Sequence, residues 1–164
     1  MNNGNNQYNY GQLSDTQKYG RARVSLLVLF MLSFANVFFI MVGNFNFGLS
    51  SYISTFVTLF FKSMSENPLY FALGIIVGII CTAPLLVTYI VSKKNTLWIC
   101  FGFYWVCLDS LLLFADFTLI IMQNPVGATS YIADLAFHAW IVYALVNGVK
   151  VRNYIDDEEN QDNN

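Results

Sequence analysis

The sequence predicts an all-α polytopic membrane protein of four transmembrane helices, with one short interfacial or re-entrant helix after the first. Three observations lead there. Of 164 residues, 56% are hydrophobic and only 11% charged, where a soluble domain carries about 25% charged residues. Four uncharged or nearly uncharged apolar runs reach the ~20 residues needed to cross a hydrocarbon core. The few charges are also gathered rather than spread, five of the ten acids lying in the last nine residues. This composition excludes a disulfide scaffold, a disordered chain and an ordinary cytosolic enzyme. A net charge of −2 leaves no basic footprint for nucleic acid.

The first span is Val24 to Val42, without a charge. Its 19 residues exceed the apolar core of a signal peptide, and no small-residue cleavage site follows. It therefore reads as an uncleaved signal anchor. Leu49 to Phe61 is too short to cross. Its hydroxyls, Ser51, Ser54, Thr55 and Thr58, form one stripe, and Tyr52, Phe56 and Phe60 another. That two-faced pattern predicts a helix in the interface or tucked against the bundle.

Leu69 to Ser92 is the second span and contains Gly74, Gly78 and Thr82 on one face. Small residues four apart let helix backbones approach, within the bundle or between copies. Pro84 removes a backbone hydrogen bond and predicts a kink. Thr96 to Met122 carries Asp109 and Asp116, and Tyr131 to Val149 carries Asp134 and His138. The turn from Gln123 to Ala128 makes these last two spans antiparallel neighbours. Residues 1–20 and 153–164 read as Asn-rich and acidic tails, too poor in apolar residues to offset their ordering entropy.

Charge asymmetry orients the chain. With four spans and a cytoplasmic N-terminus, Lys18, Arg21, Arg23, Lys93, Lys94, Lys150 and Arg152 all lie inside and only Lys62 outside. A fifth span would move Lys93 and Lys94 across. Both termini are thus expected in the cytoplasm, with Trp98 in the cytoplasmic aromatic belt and Tyr70 and Tyr131 in the outer one. Cys81, Cys100 and Cys107 all fall within spans and read as packing residues.

Ionisable groups in hydrocarbon face the bundle and find partners, since a mid-span Asp costs about 2.5–3.5 kcal/mol to insert. Asp109 and Asp116 are two turns apart on one face, and Asp134 and His138 one turn apart on another. Measured from the connecting turn, Asp109 lies level with His138, and Asp116 with Asp134. Asn36 falls at the depth of Asp109. The candidate site is therefore Asp109, His138, Asp134, Asp116 and Asn36.

Three readings fit this cluster. It is interhelical hydrogen-bond glue, a proton- or ion-coupled site, or an outward-facing metal or hydrolytic site. No HExxH, nucleophile elbow or cofactor motif is present. The first reading leads, and no cofactor, catalytic residue or metal ligand is assigned. The expected partners are the lipid bilayer and either a second copy or another membrane protein.

The run Asp134-Leu135-Ala136-Phe137-His138-Ala139-Trp140 through Lys150, preceded by Leu108-Asp109-Ser110, resembles small four-span membrane proteins of clostridia-like Gram-positive bacteria. The likeness extends from about Arg21 to Arg152. It implies a bacterial plasma membrane and a shared Asp109/His138 pattern, and carries over no activity.

Overall fold

The computed structural model describes residues 13–43, 46, 48–64, 66–123 and 129–162. The Asn-rich segment Met1 to Gln12 and the turn residues 124–128 lie outside the described residues. Five helices follow in order: α1 (Asp15–Gly43), α2 (Tyr52–Ser63), α3 (Pro68–Val91), α4 (Trp98–Gln123) and α5 (Thr129–Asp162). No strand occurs among the described residues. All but α2 contain a stretch long and apolar enough to span a membrane, so the chain is an all-α polytopic bundle.

The four long helices form a ring in which α1 and α4 each pack against both α3 and α5. The twelve-residue α2 turns back between α1, α3 and α4. One end of the bundle, the tail end, gathers the start of α1, the α3–α4 connection and the far part of α5. The opposite end holds α2.

The helix ends explain two departures from the expected boundaries. Ser14 and Gln17 exchange side chain–backbone hydrogen bonds of 3.2 and 3.1 Å, a reciprocal capping box that starts α1 at Asp15. Residues 15–20 are therefore helical rather than part of a tail, and Tyr19 is buried. Its hydroxyl donates to the Ser92 carbonyl at 2.6 Å. Helix α5 likewise continues to Asp162, and no Gly or Pro interrupts it after Gly148. Asn67 caps α3 by accepting from Leu69 N–H at 2.9 Å, with Pro68 at the first helical position. Pro84 lies within a single continuous helix.

Cations close the C-terminal ends. Arg23 donates to the Tyr89 carbonyl at 3.0 Å and to Ser92 Oγ at 3.1 Å, its guanidinium 5.1 Å from the Tyr89 ring centre. Lys62 donates to the Met41 carbonyl at 2.7 Å, at the end of α1. Both place positive charge where helix carbonyls lack partners.

The interior is divided. Near the tail end it is apolar, built from Leu26, Leu29, Leu85, Ile99, Val106, Ile141 and Leu145. Toward α2 it becomes polar, with Ser33, Asn36, Ser51, Ser54, Thr58, Asp109 and His138 all buried. The outer surface carries Val42, Leu69, Leu111, Phe114 and Met122, a lipid-facing coat.

Association in lipid rests on close packing rather than on removing apolar area from water, and Gly74, Gly78, Gly102 and Gly148 permit it. A methyl group built on Gly78 would meet Thr58 of α2 and Val37 of α1, and one on Gly74 would meet Met41 and Phe61. The Gly74–Gly78–Thr82 face is thus buried against the chain's own α1 and α2. At Gly148, the added methyl would collide with the Ala22 methyl across the α1–α5 seam. We expect Gly148→Ala to cost about 1–3 kcal/mol through overpacking. Gly43→Ala, which meets nothing within 4 Å, should stay within about 0.5 kcal/mol. Denaturant unfolding in detergent micelles measures both.

Candidate functional site

The site forms where α2 begins inside the bundle. A helix start leaves its first backbone N–H groups without acceptors, and here it lies among the buried side chains of Ser51, Ser54 and Asp109, where an unpaired donor is costly. The Asp109 carboxylate on α4 takes them instead. Its Oδ1 accepts from Ile53 N–H at 2.8 Å and from the Ser51 hydroxyl at 3.0 Å. Its Oδ2 accepts from Tyr52 N–H at 3.1 Å and faces His138 Nε2 at 3.0 Å. Asp109 and His138 are 0% and 1% exposed, so this is a dry site.

Ser51 is the N-cap residue. Its Oγ accepts from Ser54 N–H while donating to Asp109, and its own N–H donates to Ser33 Oγ on α1 at 2.7 Å. One short segment therefore joins α1, α2 and α4.

His138 Nδ1 lies 2.9 Å from the Asp134 backbone carbonyl, which can only accept, so Nδ1 donates. That fixes the ring, and its Nε2 shares a 3.0 Å hydrogen bond with Asp109 Oδ2, beside the positive end of the α2 dipole.

Asn36 belongs to the next layer. Its amide donates to Ser50 Oγ at 2.9 Å, Thr55 Oγ1 at 3.0 Å and Asn46 Oδ1 at 3.1 Å. It fixes the approach to α2 and touches Asp109 only through that segment. The chain enters α2 by an unusual turn, with Gly48 and Leu49 at φ +67° and +44°. A left-handed Leu is uncommon and strained. The Asp134 carboxylate holds it by accepting from Leu49 N–H.

Asp134 and Asp116 open onto a cavity of about 420 Å³ at the α2 end, lined also by Asn46, Ser50, Tyr52 and Tyr131. Tyr131 stands in the cavity wall. Both Tyr52 and Tyr131 bring their hydroxyls to the Asp116 carboxylate. Burial, and then the negative charge of Asp116 beside it, push the Tyr52 phenol up to about 12. Asp109 and His138 do not line the cavity; the α2 entry covers them.

The five sequence-picked residues thus divide into a dry pair, a two-carboxylate cavity and one amide that braces the entry. The sequence reading missed Ser51, Ser33 and the backbone of Tyr52 and Ile53. The N-cap Ser51 three residues before Ser54, behind Gly48, was the available signal. Among the described residues, no three His, Cys, Asp or Glu side chains are grouped to hold a metal ion. Cys81, Cys100 and Cys107 are free thiols, with Cys100 reached by Arg152. Comparison with known protein families, curated proteins and solved structures finds no match. The site's chemistry is therefore read from its own residues.

Asp109→Asn puts an amide N–H among donors and takes from His138 Nε2 the carboxyl it is bonded to. We expect a loss of about 2–3 kcal/mol. Asp134→Asn keeps an oxygen for Leu49 N–H and should cost no more than about 1 kcal/mol. Unfolding in detergent should rank them in that order; equal stability of Asp109→Asn and wild type would contradict the assignment.

Proposed function

We propose that this is a small non-enzymatic membrane protein of a bacterial plasma membrane, an accessory bundle with both termini in the cytoplasm. Its Asp109–His138 pair fixes α2 in place and does not turn over a substrate. One observation carries this reading. Both Asp109 oxygens are filled by protein donors, so the carboxylate offers nothing to a substrate or a metal. The orientation is supported by the bases, seven of which belong to the tail end while Lys62 alone lies near α2. The Gly74–Gly78 face is occupied within the chain, which favours association with a different membrane protein over pairing of two copies through that face.

A proton- or cation-coupled carrier is the second reading, favoured by the cavity that Asp116 and Asp134 line. For it to operate, the α2 entry would have to lift from Asp109 and His138. Purified protein reconstituted alone into vesicles carrying a pH or sodium gradient separates the two. The accessory reading predicts no gradient-driven flux above empty vesicles. A flux that disappears in a folded Asp116→Asn or His138→Gln variant would establish the carrier.

A further inference from the structure

A second cavity, of about 790 Å³, lies on the opposite half of the molecule in the seam between α1 and α5. Its walls are graded in the same direction. Along α1, Lys18, Arg21 and Val24 follow one another at three-residue spacing, from the tail end toward the middle of the span. Along antiparallel α5, Asn147, Tyr143 and Trp140 make the same passage. Charge and amide therefore share one end of the groove, and aliphatic and aromatic surface the other. The mouth is open beside Gly20, where a methyl group built on the backbone meets nothing within 4 Å.

We propose that this groove holds one anionic phospholipid of the leaflet at the tail end. The phosphate lies at Arg21 and Lys18, and an acyl chain runs past Val24 against Trp140. The charges facing the mouth favour an anion. Lys18 is already held by Asp15 at 2.7 Å, so Arg21 supplies the uncompensated positive charge; among the described residues its guanidinium pairs with no carboxylate. A basic group at that level attracts anionic headgroups, and Trp and Tyr suit the depth between headgroup and chain. A soluble anion would use Arg21 but leave the part of the groove beside Val24 and Trp140 unfilled. Trp140 and Tyr143 are 52% and 68% exposed, and lipid is what covers them in a bilayer.

Trp140 reports occupancy directly. The full chain carrying Trp98→Phe and Trp105→Phe is reconstituted into phosphatidylcholine vesicles. A minor fraction of the lipid is brominated, either as phosphatidylglycerol or as phosphatidylcholine. The brominated phosphatidylglycerol should quench Trp140 at about fivefold lower mole fraction, and Arg21→Gln should remove that preference. Equal quenching by the two lipids, or a preference surviving in Arg21→Gln, overturns the proposal. Native mass spectrometry of the protein with its natural tryptophans gives the independent check. Phosphatidylglycerol should be retained over phosphatidylcholine, and lost when Gly20→Leu fills the mouth. Retention in folded Gly20→Leu would place the lipid elsewhere and overturn it.

Discussion

The fold depends on the acceptor that Asp109 offers to the start of α2. A helix that begins within an apolar bundle brings unpaired N–H groups into buried surroundings. Each would cost several kcal/mol if left unpaired there. A carboxylate answers this need better than a neutral acceptor, because it takes several donors and its charge suits the helix dipole. The carboxyl is itself buried, and His138 Nε2 meets it from α5 at 3.0 Å. Four of the five helices are tied through that arrangement: α2 by its backbone, α4 by Asp109, α5 by His138, and α1 through Ser33 and Ser51.

The other helix ends follow the same logic with opposite sign. Arg23 meets the last carbonyls of α3, and Lys62 meets the end of α1. These two charges are positioned by backbone requirements. Close contact at glycines packs both halves of the bundle, and the half around α2 adds the buried hydrogen-bond network of Asp109. The cavity of Asp116 and Asp134 lies beyond this network, on the side where the entry turn closes it off from the buried pair.

Much of this was legible in the sequence because hydrocarbon is a strict solvent. Length and polarity alone located the four crossings, and the short hydroxyl-striped segment could not be a fifth. Symmetry about the last turn placed Asp109 opposite His138, which the 3.0 Å contact bears out. The two-faced α2 was also legible, with its hydroxyls Ser51, Ser54 and Thr58 turned inward and Phe56 and Phe60 outward. The depth to which its first turn descends was not, because that depends on the strained Gly48–Leu49 turn and on backbone donors that carry no side-chain signature. The start of α1 was obscured for a different reason. A capping box made of Ser14 and Gln17 is polar, so a search for apolar runs reads it as tail.

His138 ties α5 to the start of α2 only if its ring is fixed with Nδ1–H on the Asp134 carbonyl and Nε2 on Asp109. The chain has one histidine, so nitrogen NMR of histidine-labelled protein in bilayers observes this ring alone. Nδ1 should carry a proton at neutral pH, with a through-space contact from Nε2 to the Asp109 carboxyl carbon. A bare Nδ1, or a ring without the Asp109 contact, in the folded wild-type protein would contradict this arrangement.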